Sequence, residues 1–479
     1  MGHFLEMDPF GRYSARVYYE WCQAMDEGRE VEQWEARCLA LQSGKYGDKW
    51  EGSCFTAERL ALKMRERLIS APVKADYPYE EPSDFPAILS ARKGASANKA
   101  FMKMLDESRL AERVAGCWTG RVAGCLLGKP LEFMHRAQVA GMLKATGNYP
   151  AARYTAASEF TPGMTAQWKL RTGVPEQPWI DEIGDGAPID DDTNYTVFNL
   201  KLLETFGREF EPNDVLYAWI NWMPAGITAT AERVAYRNAC CGVLAPYSAT
   251  LLNPYREWVG AQIRAEIFGM VNPGDPAAAA EMAFRDACVS HVRNGIYGEL
   301  FVAAMTAAAL VMADAREVVS AGLREIPARS RLYEAVNGVL RWHKEGRPFM
   351  YAVDQIHGLW DERNLHHWCH AVPNAMLVAA ALIYGEGDFT KTLGLAVSDG
   401  FDTDSNGAVA GAIAGAMLGQ GGIPAHWRDA LCGKLHSSVA GFECMTLEEL
   451  TRRTLAVRRS EIEPDERIKR RYDYRESFE

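Results

Sequence analysis

The sequence of 479 residues lacks an apolar stretch of the length that a membrane-spanning helix requires. Its longest runs of small apolar residues, such as 408–418, are short and built mainly from alanine and glycine. The first twenty residues carry charged and aromatic side chains throughout and contain no apolar core of a signal peptide. We therefore expect no membrane association.

The sequence also lacks an excess of basic residues and a cysteine pattern typical of disulfide-bonded proteins. The chain has 52 Lys and Arg against 63 Asp and Glu, a formal charge of -11, which argues against a nucleic-acid partner. The 11 cysteines are odd in number and show no CxxC spacing, so we expect free thiols in a reducing cytoplasm. An acidic chain can instead form a pocket that collects cations. The sequence contains no indication of an oligomeric state.

Alternating β-branched residues are nearly absent, whereas apolar residues recur at helical spacing, which predicts an all-α fold. Residues 1–105 are predicted to form a helical extension that includes a proline-rich linker at 71–86. Long Ala-, Leu- and Met-rich stretches separated by Gly and Pro then indicate a main domain at 106–460. A tail of mixed charge follows at 461–479.

Two predicted helices carry glycine at every fourth position. The two stripes are Gly116, Gly120, Gly124 and Gly128, and Gly407, Gly411, Gly415 and Gly419. A spacing of four places each set along one face of its helix. Because an interior glycine costs roughly 1 kcal/mol relative to alanine, we expect each stripe to be compensated by a close helix–helix contact.

Aspartates cluster at the starts of two predicted helices, as DDDT at 190–193 and DTDS at 402–405. Capping and the helix dipole account for single acids at such positions, but three consecutive aspartates exceed that need. Where the glycine helices converge, so many carboxylates would repel one another strongly without cations. Oxygen ligands favour Mg²⁺, Mn²⁺ or Ca²⁺ over zinc, and two clusters suggest two ions.

Three motifs in order resemble the ADP-ribosylglycohydrolase superfamily, of the dinitrogenase-reductase-activating glycohydrolase type. They are GCLLGKPLE at 124–132, DDDT at 190–193 and GFDTDSNGAVAGAIAGAMLG at 400–419. The family typically shows a glycine helix ending in G-D-x-x-G-x-x-x-E, then T-D-D-T, then G-G-D-T-D-[TS] before an Ala/Gly helix. Segments at 230–233, 294–298 and 370–374 resemble a bacterial branch.

The resemblance implies a compact orthogonal helical bundle at 106–460, a catalytic domain whose central cleft holds two divalent cations, Mg²⁺ or Mn²⁺. The implied metal ligands are Asp190, Asp191, Asp192, Asp402, Asp404 and Ser405. Glu132 stands at the family's mobile glutamate, and the implied catalytic residues are Glu132, Asp191 and Asp404. The residues predicted to line the substrate pocket are Asn294, Tyr297, His370 and Phe401.

The sequence departs from the family pattern at three positions. Cys125 replaces the aspartate of the G-D pair, Asp190 replaces a threonine, and Phe401 replaces the second glycine of the G-G pair. We expect the metal site to survive these changes and substrate specificity to differ.

The implied reaction is hydrolysis of a ribosyl N- or O-glycosidic bond through an oxocarbenium-like state, with an ADP-ribosylated or small-molecule substrate. Two alternatives stay open. One is a nucleoside or other small N-glycoside hydrolase, and the other is a catalytically silent ligand-binding or structural member of the family.

Histidines at i and i+4, His366 and His370, have a spacing that can bind zinc. No glutamate follows the first histidine as in HExxH, so local hydrogen bonding or pocket lining is the favoured interpretation.

Overall fold

The computed structural model describes residues 12–43, 53–93, 106–175 and 177–459. Within these ranges the chain forms α-helices and a single two-stranded sheet, which confirms the all-α prediction. None of the described helices is long and apolar enough to cross a membrane. Every cysteine whose side chain is described is free. The predicted charged tail at 461–479 lies outside the described residues.

The helices are numbered in chain order. Those of the N-terminal extension are α1 (Val17–Asp26), α2 (Glu35–Gln42), α3 (Ser53–Ser70) and α4 (Phe85–Ala91). Those of the first half of the main domain are α5 (Glu107–Gly128), α6 (Arg136–Ala145), α7 (Pro162–Trp168), α8 (Asp191–Phe206), α9 (Pro212–Trp222), α10 (Thr230–Cys240), α11 (Glu266–Met270), α12 (Pro276–Ala287) and α13 (Arg293–Ala309).

The second half of the main domain continues the helical pattern and adds one hairpin. Its helices are α14 (Ala315–Leu323), α15 (Arg331–Lys344), α16 (Phe349–Leu359), α17 (Leu365–Trp368), α18 (Ala371–Gly385), α19 (Phe389–Val397), α20 (Thr403–Leu418), α21 (Ala425–Asp429) and α22 (Leu447–Arg458). Strands β1 (Lys434–His436) and β2 (Cys444–Thr446) pair antiparallel, with Leu435 opposite Met445. Short 3-10 turns complete the described chain at Ser14–Arg16, Glu32–Trp34, Lys129–Leu131, Ala157–Glu159, Ala225–Ile227, Tyr247–Ala249, Gln262–Arg264 and Gln420–Gly422.

The two glycine helices, α5 and α20, pack directly against each other. Their stripes meet in reverse order, with Gly116 on Gly415, Gly120 on Gly411 and Gly124 on Gly407. The helices are therefore antiparallel. A Cβ atom added to any of these six glycines would overlap the backbone carbonyl of its partner. The predicted close approach of helices is confirmed, and its cause is backbone-to-backbone contact that no larger residue permits.

Antiparallel packing places the C-terminal end of α5 beside the N-terminal end of α20. At this junction the Thr403 hydroxyl donates a 2.8 Å hydrogen bond to the carbonyl of Gly128. A Cβ atom at Gly128 would overlap the Thr403 carbonyl. The residues that follow α5 are consequently held against the DTDS cluster that begins α20.

A buried arginine of α5 holds the start of α8 against α5. The Arg121 guanidinium of α5 donates hydrogen bonds to the main-chain carbonyls of Asp192 and Ile263 and pairs with Glu266. Both charged side chains of that pair are fully buried, so each depends on the other for its solvation. The DDDT cluster is thereby fixed relative to α5.

The N-terminal extension has a small apolar core of its own, which includes Val17, Cys38 and Leu68. It is attached to the main domain by Arg256, whose guanidinium lies 2.7 Å from a carboxylate oxygen of Glu20 and 2.7 Å from one of Glu27. Of the predicted linker at 71–86, residues 71–84 form no helix, whereas Phe85 and Pro86 begin α4.

We predict that Gly124→Ala lowers the free energy of unfolding by about 3 kcal/mol, because the added methyl must displace the backbone of α20 at Gly407. Urea denaturation followed by circular dichroism measures the change. The matched control is Gly358→Ala at an exposed position of α16, where nothing lies within 4 Å of the added atom. Equal stability of the two variants would contradict the packing argument.

Candidate metal centre

Carboxylates from both predicted clusters meet where α5, α8 and α20 converge. Oxygen atoms of Asp190, Asp192 and Asp404 lie within 4.8 Å of one another, and all three side chains are buried. The Ser405 hydroxyl donates a 3.2 Å hydrogen bond to Asp192 Oδ2 across 213 positions of sequence. The two clusters thus form one centre.

Capping explains part of this arrangement. Asp190 is the N-cap of α8, and its Oδ1 accepts a 2.8 Å hydrogen bond from the Asp192 amide. Asp402 occupies the same position before α20, yet its side chain caps no amide of that helix. The Asp402 amide is held instead by Asn374 Oδ1 at 3.3 Å. Its Oδ2 lies 3.9 Å from the Cys369 thiol.

Lys129 lies among these acids, in the turn that follows α5. Its Nζ is 2.8 Å from Asp190 Oδ2, 3.1 Å from Asp404 Oδ2 and 3.0 Å from Glu132 Oε2. Lys129 stands in the GCLLGKPLE motif, where a cation three residues before Glu132 is the available signal of its place among the acids. The Lys129 ammonium therefore offsets part of the repulsion between the carboxylates, which the sequence led us to expect divalent ions to offset.

The centre borders a cleft of about 820 Å³, a volume within the usual range of small-molecule sites. Lys129, Asp190 and Asp191 line one side of it. Apolar walls come from Ile183 and Ile227, together with prolines of the segment before α8. Glu132 accepts a 3.4 Å hydrogen bond from the Gln177 amide and lines a second cavity of about 170 Å³.

Burial and close carboxylates shift the acidity of the centre. Burial, with a further contribution from Asp404, raises the pKa of Glu132 to about 8. Burial and Asp190 raise the pKa of Asp191 to about 7. Burial and Asp404 raise the pKa of Asp192 and of Asp402 well above the usual range. Although burial also acts on Asp404, the Lys129 ammonium holds the pKa of Asp404 below its usual value.

The donor set fits a hard divalent cation. Asp404 Oδ1 is buried and has no N–H or hydroxyl donor among the described residues, and the Asp402 carboxyl bonds to the Asp404 carboxylate only when one of the two acids keeps a proton. A buried carboxylate oxygen without a partner is costly, and a cation relieves that cost. The remaining donors are carboxylate and hydroxyl oxygens, which are the ligands that Mg²⁺ and Mn²⁺ prefer.

The family model described as ADP-ribosylglycohydrolase matches residues 106–463, which is most of the chain. The chain belongs to the ADP-ribosylglycohydrolase family. A solved structure titled ADP-ribosylglycohydrolase-related protein complex is 21% identical, with a TM-score of 0.47, over 74% of this chain and 99% of that one. No curated protein matched the sequence. Family membership indicates hydrolysis of glycosidic bonds.

Two residues that the family resemblance placed in the substrate pocket lie against the proline-rich linker. The Asn294 amide donates hydrogen bonds to Glu81 at 2.8 Å and to Glu257 at 2.7 Å. The Tyr297 hydroxyl donates to the carbonyl of Pro82. The structure does not bring these polar groups into contact with the aspartates, and their role in substrate binding stays a prediction.

Phe401, which replaces a glycine of this family's motif, has a φ of +57° and a fully buried ring. A positive φ is strained for a residue with a Cβ atom, which explains why glycine is usual there. The Phe401 amide donates to Glu362 at 3.3 Å and its ring lies 4.8 Å from that of His357. Its predicted contact with substrate likewise stays a prediction.

The histidine motif forms hydrogen bonds with the N-terminal extension. Nδ1 of His366 accepts from the indole of Trp258 at 2.9 Å, and Nδ1 of His370 accepts from the Val372 amide at 3.1 Å. A neutral ring with an acceptor Nδ1 carries its hydrogen on Nε2. Both Nε2 atoms face Asp26 Oδ2, at 2.7 Å and 3.5 Å. Donor hydrogens at these positions do not favour zinc ligation.

We predict that the stability of the metal-free protein falls as the pH rises, and that Glu132→Gln reduces this fall. Because the pKa of Glu132 is about 8 in the folded chain and about 4.3 in an unfolded one, folding retains a proton that unfolding releases. The stability from this group is complete at low pH and is lost as the pH rises through about 8.

The measurement is the thermal unfolding midpoint in EDTA between about pH 5 and pH 9. Glu448→Gln, at an exposed position of α22, is the control and should follow the wild-type slope. Identical slopes for the wild type and Glu132→Gln would show that Glu132 does not retain a proton.

Proposed function

We propose that this protein is a metal-dependent hydrolase that cleaves a ribosyl N- or O-glycosidic bond of an ADP-ribosylated substrate. The observation that carries the proposal is the convergence of Asp190, Asp192 and Asp404 within 4.8 Å, beside a cleft of about 820 Å³. Family membership supports a glycosidic bond as the target.

The residues that would hold divalent cations are the acids and the hydroxyl of the centre, Asp190, Asp191, Asp192, Asp402, Asp404 and Ser405. When bound, Mg²⁺ or Mn²⁺ would supply Lewis-acid stabilisation and make water a stronger nucleophile. Asn374 and Arg121 would position the ligand-bearing turns, since they fix the backbone at Asp402 and Asp192.

Glu132 is the proposed proton carrier. A group whose pKa is about 8 can both give and accept a proton near neutral pH, which is the requirement for general acid–base work. It pairs with Lys129, which lines the large cleft, and accepts a hydrogen bond from Gln177, which lines the second cavity. Asp191, at the edge of the cleft, is the second candidate for assisting water.

Negative charge in the centre also suits the reaction. Cleavage of a glycosidic bond develops positive charge on the ribose ring, and fixed carboxylates near that charge stabilise it. Asp190 and Asp191 line the cleft directly and would lie nearest to a sugar bound there.

The charge of the cleft favours a second candidate, hydrolysis of a nucleoside or another small uncharged N-glycoside. Its lining contains four acids, namely Glu182, Asp190, Asp191 and Glu443. Lys129 and His436 are the lining side chains that can carry positive charge. A diphosphate would find few cationic partners here, whereas a neutral ribosyl compound would meet no repulsion.

A hydrolysis panel read by mass spectrometry separates the candidates. The substrates are arginine- and serine-linked ADP-ribosyl peptides, ADP-ribose derivatives and simple nucleosides, each with Mg²⁺, Mn²⁺ or EDTA. Release of ADP-ribose from a peptide supports the first candidate, and release of a free base supports the second. Absence of turnover with metal bound would favour a catalytically silent member of the family.

For the substrate that is cleaved, we predict that Asp404→Asn lowers kcat/KM on the order of 100-fold or more, because it removes a charged oxygen from the centre. Asp361→Asn, at an exposed position, is the control and should keep wild-type activity. A loss of less than about tenfold for Asp404→Asn with unchanged metal content would contradict the assignment.

A further inference from the structure

We propose that Lys129 takes the place of one of the two expected divalent ions, so that the centre binds a single Mg²⁺ or Mn²⁺. This inference rests on the proposed function, because it presumes a metal centre formed by the two aspartate clusters. It assigns Lys129 as a permanent cation of the site and predicts a metal stoichiometry that differs from the binuclear expectation.

The contacts of the ammonium group carry the inference. An ammonium has three hydrogens, and Lys129 Nζ has three carboxylate neighbours, Asp190, Asp404 and Glu132, at 2.8 to 3.1 Å. The contact with Asp404 Oδ2 is a charge-assisted hydrogen bond, and those with Asp190 and Glu132 are ion pairs. The three acids come from three separate motifs, so Lys129 joins them as a shared cation would.

The position of Lys129 is fixed by the fold. Its side chain is 13% exposed, and its backbone follows directly on Gly128, whose carbonyl is bound by Thr403. The glycine contacts between α5 and α20 set this junction. Lys129 is therefore a built component of the centre, unlike a surface lysine that reaches an acid by chance.

The donors that remain for an ion are at Asp192, Ser405 and the second oxygen of Asp404. Lys129 bonds to Asp404 Oδ2, while the buried Oδ1 has no N–H or hydroxyl donor among the described residues. Asp192 Oδ2 contacts the Ser405 hydroxyl at 3.2 Å. Oxygens of Asp192 and Asp404 lie within 4.8 Å of each other, so one ion would be able to use both. A second ion on the Asp190 side would have to compete with the ammonium for the same carboxylates and would be repelled by it.

The placement also bears on substrate binding. Lys129 lines the large cleft as well as contacting the acids. Its ammonium thus presents a fixed positive charge and hydrogen-bond donors to a ligand, at the side of the centre where a second ion would otherwise lie.

The test is the number of Mn²⁺ ions bound by the full chain after removal of metal with EDTA. Isothermal titration calorimetry gives the stoichiometry, and electron paramagnetic resonance distinguishes isolated Mn²⁺ from a coupled pair. We expect one ion for the wild type and for Lys129→Arg, which keeps the charge. We expect two ions and a coupled spectrum for Lys129→Met, which removes the charge and retains most of the side-chain length.

Two wild-type ions together with EDTA-sensitive hydrolysis would overturn the role of Lys129 and leave the proposed function intact. One ion in Lys129→Met, in a variant that keeps the wild-type circular dichroism spectrum, would also overturn it. No ion in the wild type would remove the metal-dependent function together with this inference. The wild-type and Lys129→Arg results decide the question even if Lys129→Met does not fold.

Discussion

The contact on which the structure depends is the backbone-to-backbone packing of α5 against α20. Because Gly120 and Gly124 meet Gly411 and Gly407 without intervening side chains, the two helices lie closer than ordinary core residues allow. Their antiparallel direction brings the residue after α5, Lys129, to the residues that begin α20. Each glycine lowers the stability of its own helix. In return, the glycines allow the end of α5 and the start of α20 to meet, which brings Lys129 to Asp404.

Burial of charge is the second constraint, and it follows from the first. The junction gathers carboxylates that would repel one another in a medium of low dielectric constant. The chain compensates with Lys129 within the cluster and with Arg121 beneath it. The raised pKa of Glu132 and of Asp191 shows that protons supply further compensation when no ion is bound. The excess of buried negative charge lowers the stability of the folded protein, and the same excess favours the binding of a cation.

Patterns confined to single segments could be predicted from the sequence. Helical spacing, the glycine stripes and both aspartate clusters are local signals, and the structure bears out the all-α fold and the meeting of the clusters. The role of Lys129 depends on which elements meet, a property that spacing within one segment does not contain. Asn294 is a second example, since its bond to Glu81 of the linker depends on a segment distant in the sequence, and its predicted role in substrate binding stays a prediction. Asn374 lies in the segment 370–374, and nothing in that segment alone predicts that it holds the amide of Asp402.

The N-terminal extension lies outside the residues matched by the family, yet a series of close polar contacts connects it to the centre. Asp26 faces Nε2 of His370, whose carbonyl accepts a 2.9 Å hydrogen bond from the Asn374 amide. The Asn374 oxygen in turn accepts from the amide of Asp402. Because each of these groups is buried or partly buried, each needs its partner for solvation. The extension therefore forms part of the support behind the second aspartate cluster, and the geometry of that cluster depends on residues from both parts of the chain.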